Sequence, residues 1–241
     1  MPGHPLPSVL CLLTSEMYTL YLGNRNYSSW SLRGWLAVRL SGAPFTEVMM
    51  PLSGTYNAEW RRFSPTARVP ALHDGDTVVW DSLGIAEYLA ERHPGMWPAD
   101  PVTRAWARCV AAEMHSGFAA LRDEMTMCIR ERVDVRPWSP ALAADVDRVA
   151  EIWGEGRRRF GQAGPFLCGA FSLADAFYAP VAFRFQTYGV APAGAAGAYL
   201  AALLAHPFVR EWERAALAET TVVEADEPRV LYRDKLAGRK P

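Results

Sequence analysis

The chain has 241 residues and 26.7 kDa, with 25 Lys plus Arg against 26 Asp plus Glu and a formal charge of −1. That balance, with an isoelectric point near 6.5, offers no basic field for a phosphate backbone and argues against nucleic-acid binding. Half of the residues are hydrophobic, ample for buried cores, and no run approaches the length of apolar chain that would span a bilayer.

Met1 to Glu16 carries three prolines and reads as a loose leader outside the fold. The four cysteines, Cys11, Cys109, Cys128 and Cys168, form no CxxC pair, so neither a zinc site nor a dithiol redox site is expected, and no metal. Scattered single thiols fit a reducing cytoplasm, and the three internal ones read as buried hydrophobic residues.

Tyr18 to Leu22 reads as a strand broken by Gly23-Asn24-Arg25-Asn26. Leu32, Trp35, Leu36 and Leu40 then recur at helical spacing until Ser41-Gly42. Phe45 to Met50 is a second strand ended by Pro51, and the polar stretch through Trp60 reads as a loop with a short helix. Val69 to His73 and Thr77 to Trp80, separated by Asp74-Gly75-Asp76, form a hairpin. Asp81 and Ser82 open a helix carrying Ile85, Tyr88 and Leu89, which ends at His93-Pro94-Gly95. Together these elements make a small mixed sheet covered by helices.

Beyond the proline-bearing linker at 94–101 strand signals vanish. Asp100-Pro101 starts a long helix whose apolar stripe runs from Val102 through Cys128. Ser139-Pro140 starts another, through Ile152 and Trp153 to Gly161, with Arg157, Arg158 and Arg159 as a solvated face. Ser172 and Asp175 form a capping-box variant before a third helix, and shorter helices near Ala195–Ala205 and Pro207–Ala218 complete a bundle.

Two local features point to chemistry. Ser28 and Ser29 stand where the first helix begins; its unpaired N–H groups stabilise an anion, and a serine hydroxyl adds a directed donor. By spacing alone either serine also reads as a plain N-cap. Val69-Pro70 puts a proline at a strand start, a turn that presents the Val69 backbone to a peptide-like ligand or is simply an edge proline.

The ordered set Ser28-Ser29-Trp30-Ser31-Leu32-Arg33, Val69-Pro70, Asp81-Ser82 and Ser172-Leu173-Ala174-Asp175 resembles the glutathione transferase superfamily over about residues 17 to 220. The resemblance implies an α/β thioredoxin-like N-terminal domain at 17–95 and an all-α C-terminal helical bundle domain at 101–220, followed by a tail at 221–241. It implies a cytoplasmic, homodimeric enzyme of detoxification that uses glutathione as co-substrate and joins its thiol to a small, apolar electrophile. By position Ser28 serves the sulfur, with Ser29 the alternative; Val69 pairs with the cysteinyl backbone beside a cis Pro70; and Asp81 and Ser82 hold the γ-glutamyl end.

Trp30 and Arg184 are the candidates for the second-substrate pocket. Arg184 also reads as an arginine at the core edge, and His115 receives no role. The serine motif is most similar to the zeta class, which includes maleylacetoacetate isomerases, although Trp30 stands where those isomerases usually carry Cys and Asp81 where the superfamily more often has Glu. With no cysteine at the Ser28 position, thiol transfer through a mixed disulfide is not expected. A glutathione-dependent isomerase and a non-catalytic binding protein of the same fold are the alternatives.

Overall fold

A computed structural model of the chain describes residues 17–51 and 59–237. The leader with Cys11, and most of the expected loop and short helix before Trp60, lie outside those residues. Four strands, β1 (Tyr18–Leu22), β2 (Phe45–Met49), β3 (Ala71–Asp74) and β4 (Thr77–Val79), form one sheet in the order β2-β1-β3-β4. β1 pairs with β2 in parallel because helix α1 (Ser29–Ser41) carries the chain back across the sheet, whereas the tight Gly75 turn makes β3 and β4 antiparallel. Helix α2 (Ser82–Arg92) covers the sheet beside α1, so this half has the expected thioredoxin-like arrangement.

The second half is helical: α3 (Pro101–Ser116), α4 (Ala119–Glu124), α5 (Pro140–Arg159), α6 (Leu173–Thr187), α7 (Gly194–Ala205) and α8 (Pro207–Ala218). Helix α6 is its centre, buried on every face except at Gln186, with Trp153 of α5 packed on Tyr178 and Phe185. Its start is pinned by the expected capping box. Asp175 accepts the Ser172 N–H at 2.8 Å, the Ser172 hydroxyl at 3.0 Å, the Leu167 N–H at 3.1 Å and the Tyr199 hydroxyl at 3.0 Å. Four donors on one fully buried carboxylate make it a structural centre rather than a chemical one. The two halves meet where α1 packs on α6 and where Trp35 of α1 meets Trp212 of α8 at 5.4 Å.

Four sequence expectations need correction. The long helix from Val102 to Cys128 breaks after Ser116, because Phe118 takes a left-handed conformation and Arg122 donates to the carbonyls of Met114 and Gly117, closing the end of α3. Met125–Cys128 is irregular and forms part of a cleft wall instead. Cys128 is buried as expected, but Cys109 is exposed on α3 and Cys168 only half-buried. Arg157 does not belong to a solvated face, since its guanidinium bonds the Gly161 carbonyl at 2.9 Å; Arg158 and Arg159 are exposed.

The segment after α8 is more than a tail. Short helices α9 (Pro228–Leu231) and α10 (Arg233–Ala237) fold back so that the Thr126 hydroxyl bonds the Asp226 carbonyl at 2.9 Å, the Tyr232 hydroxyl bonds the Glu124 carbonyl at 2.5 Å, and Tyr27 bonds Glu227.

Candidate active site

The loop between β1 and α1 is built from its own side chains. Asn24 Oδ1 accepts the Asn26 N–H at 2.9 Å, a turn that asparagine favours, and the fully buried Asn26 accepts the Arg130 N–H at 3.0 Å from the helical half. Trp212 and Glu219 bond the backbone of Arg25 at 3.0 and 2.8 Å, so both halves hold the loop in place. It delivers Ser28 to the N-cap of α1, where Ser28 Oγ accepts the Ser31 N–H at 3.3 Å and donates to Ser31 Oγ at 2.8 Å.

Beside it the Val69-Pro70 peptide is cis. The β1–β3 ladder ends with Ala71 opposite Tyr21, so Val69 lies beyond the paired strand. Gly34 of α1 makes this approach possible: a Cβ there would stand 2.8 Å from Pro70 Cβ. On the third side Asp81 caps α2, its Oδ1 accepting the Leu83 N–H at 3.0 Å, and the His115 imidazole of α3 stands 3.3 Å from the other oxygen. Burial holds His115 below the usual histidine range.

Ser28, Trp30, Val69, Pro70, Asp81 and Arg184 share one cleft of about 590 Å3 between the two halves. Ser82 is not on its wall. The Ser82 side chain is fully buried behind Asp81, and its hydroxyl has no hydrogen-bond partner among the described residues. The cleft also takes in residues that the sequence reading did not single out, among them Arg68 and Thr66 beside Val69, and Arg122 and Asp226 beside Arg184. The helix pattern of the second half gave no sign that Arg122 or Asp226 would turn inward.

Positive charge gathers beneath Trp30. Arg33 is fully buried; its guanidinium stacks over Trp30 at 4.8 Å and Phe177 at 5.4 Å, and none of its three nitrogens has a hydrogen-bond partner among the described residues. Arg122 covers Trp30 at 5.0 Å. Arg184 donates through Nε to the Met125 carbonyl at 2.6 Å while Nη1 is buried without a partner among the described residues. Burial, with repulsion from Arg122, pushes Arg184 down to about 10, and burial with the charges of Arg122 and Arg184 holds Arg33 well below the ordinary arginine range. Burial also raises Asp226 above the usual carboxylate range. Buried guanidinium groups without counter-charges at bonding distance are costly, and such a cluster favours an anion in the space it faces.

A model of the glutathione S-transferase N-terminal domain matches residues 27–92, and one of the C-terminal domain matches residues 138–215. The chain belongs to the glutathione S-transferase superfamily. A glutathione transferase homolog from Burkholderia GL BGR1, solved with bound glutathione, shares the fold at a TM-score of 0.64 and 22% identity, over 84% of this chain and all of that one.

Curated relatives include the maleylacetoacetate isomerase of Rattus norvegicus, 27% identical over 67% of this chain and 74% of the relative. They also include a stringent starvation protein A homolog of Haemophilus ducreyi, 28% identical over 65% of this chain and 71% of the relative. The N-terminal transferase match begins at Tyr27, directly before the serine pair, and ends with α2, so it spans Ser28, Val69 and Asp81. Among the described residues no group of His, Cys, Asp or Glu could hold a metal ion, and no helix is long and apolar enough to cross a membrane.

Proposed function

We propose that this glutathione transferase binds glutathione along the sheet-side wall of the cleft and joins its thiol to a small electrophile, with Ser28 stabilising the thiolate. The observation that carries this reading is the convergence of the Ser28 hydroxyl at a helix N-terminus, the Val69 backbone and the Asp81 carboxylate on one cleft.

A free thiol with pKa near 8.5 is only about 3% ionised at pH 7, and each unit of lowering needs about 1.4 kcal/mol of preference for the anion. A hydroxyl donor together with the positive end of α1 is suited to supply one or two units. Val69 pairs with the cysteinyl backbone, and an antiparallel pairing there sets the glycyl carboxylate against Arg68. The Asp81 carboxylate faces the γ-glutamyl ammonium. The γ-glutamyl carboxylate meets the N-terminus of α2, whose unpaired N–H groups suit an anion, while the buried Ser82 side chain stays behind the wall.

Trp30 and Arg184 face the second substrate. The unpaired Arg184 nitrogen favours one that bears a negative charge, in place of the wholly apolar electrophile expected from sequence. The same observation favours a second reading, a glutathione-dependent cis-trans isomerase acting on an unsaturated acid, in line with the activity for which the rat relative is named.

Ser28→Ala is expected to lower turnover of an activated aryl halide by tenfold or more at neutral pH; unchanged turnover removes Ser28 from the mechanism. Scoring the product as conjugate or as isomer, over a panel of charged and neutral substrates, separates the two activities. If calorimetry detects no glutathione binding, the chain is a non-catalytic member of the superfamily. A cytoplasmic homodimer with a role in detoxification completes the proposal, and a monomer mass in light scattering would contradict the dimer.

A further inference from the structure

Behind Ser28 stands a second hydroxyl to which the reading above gives no task. Ser31 is fully buried, and its Oγ accepts the Gly23 N–H at 2.9 Å and the Ser28 hydroxyl at 2.8 Å. The Ser31 N–H in turn goes to Ser28 Oγ. Capping the helix requires only that last bond, in which Ser28 is an acceptor. The hydroxyl-to-hydroxyl bond is additional, and it creates a conflict. A serine has one proton to donate, and while that proton points at Ser31 it does not point into the cleft.

We propose that Ser31 is the positioning residue for Ser28 and that the two hydroxyls reverse their donor order when a thiolate occupies the cleft. The inference rests on the reading of Ser28 as the donor to the sulfur. In the reversed state the Ser28 O–H turns to the sulfur, and the Ser31 O–H, whose oxygen still accepts from Gly23, turns onto Ser28 Oγ. Both protons stay on their own oxygens and no covalent bond forms or breaks.

Ser28 Oγ then accepts from both the N–H and the O–H of Ser31. With both acceptor positions filled, its single proton has one direction left, out toward the sulfur. A hydroxyl that accepts two hydrogen bonds is also the stronger donor, because chains of such bonds polarise one another. Burial keeps water from substituting for Ser31. The geometry therefore assigns to one side chain both the locking and the strengthening of the catalytic donor.

The test is a pH titration of glutathione bound to the full-length protein, followed by the ultraviolet absorbance of the thiolate, for wild type, Ser28→Ala, Ser31→Ala, Ser31→Cys and Ser31→Thr. Ser31→Ala is expected to reduce the ratio of bound thiolate to thiol at pH 7 by about three- to tenfold, the equivalent of half to one pKa unit. Binding of the thiol form, measured by calorimetry below its pKa, should be unaffected.

Ser31→Thr, which keeps the hydroxyl, should retain the wild-type titration. Should Ser31→Ala fail to fold because the Gly23 N–H loses its acceptor, Ser31→Cys, close in size but a weak donor and acceptor, is expected to show the same loss of thiolate. If Ser28→Ala loses the thiolate while Ser31→Ala or Ser31→Cys titrates like wild type, the proposal fails alone. If Ser28→Ala itself titrates like wild type, the reading beneath it fails as well.

Discussion

Replacing Arg184 with Met puts the cationic floor of the cleft to a quantitative test. Removing a buried side chain from the central helix of a bundle ordinarily costs about 2–5 kcal/mol. Here the balance differs. The depression of Arg184 from the ordinary 12.5 to about 10, caused first by burial and then by Arg122, corresponds to about 3 kcal/mol against the charged form. Against this, the substitution loses the 2.6 Å bond from Nε to the Met125 carbonyl, a charge-assisted bond worth about 1.5–3 kcal/mol.

Methionine fills irregular space well, so the two contributions nearly cancel, and urea denaturation should place Arg184→Met within about 1 kcal/mol of wild type. Function should not be spared. A carboxylate-bearing electrophile loses one charge-assisted partner and falls in kcat/KM by about 10- to 100-fold, whereas its methyl ester changes little. Destabilisation beyond about 3 kcal/mol would identify Arg184 as a structural tether, and equal losses for acid and ester would remove it from substrate recognition.

Three further outcomes follow from the same geometry. Burial raises Asp175 to about 6, so between pH 4 and 6 the native carboxyl keeps a proton that the unfolded chain has released, and this contribution to stability falls by up to about 3 kcal/mol as pH rises. The advantage of wild type over Asp175→Asn in urea denaturation should thus be larger at pH 4 than at pH 7; an advantage that grows with pH contradicts the assignment.

Gly34→Ala drives a methyl group to within 2.8 Å of Pro70, so stability should drop by about 1–3 kcal/mol and displacement of Val69 should weaken glutathione binding about tenfold in calorimetry, an unchanged Kd refuting the role of this contact. His115→Ala frees the Asp81 carboxylate and should weaken glutathione several-fold while leaving an analogue that lacks the γ-glutamyl ammonium unaffected; equal effects on both ligands would mean that His115 acts on the fold alone.

Local chemistry along the chain determined most of the scaffold. The aromatic and apolar run Tyr18–Leu22 is the strand it promised to be, Gly75 turns the hairpin, and the side chains of Asp81, Asp100, Ser139 and Ser172 open the helices that follow them. Propensity, capping and periodicity act over a few residues, so a linear reading captures them. The same reading singled out the serine pair, Val69 and Asp81, which the fold brings to one cleft, because each stands at or just before the start of an element, where residue choice is most constrained.

What only the tertiary structure decided depends on contacts distant in sequence. The break at Phe118 is closed by Arg122 reaching back to α3, and nothing in the apolar stripe announced it. Ser82 satisfied the motif yet stands behind the wall of the cleft. Arg33, Arg122 and Arg184 come from three different helices; in the sequence Arg33 stood out only as part of the serine motif, Arg122 not at all, and Arg184 as a pocket candidate or core-edge arginine. Their charge became consequential only when packing buried Arg33 and Arg184 and set Arg33 and Arg122 over one indole ring, because the energy of a charge depends on its surroundings, which no local pattern encodes.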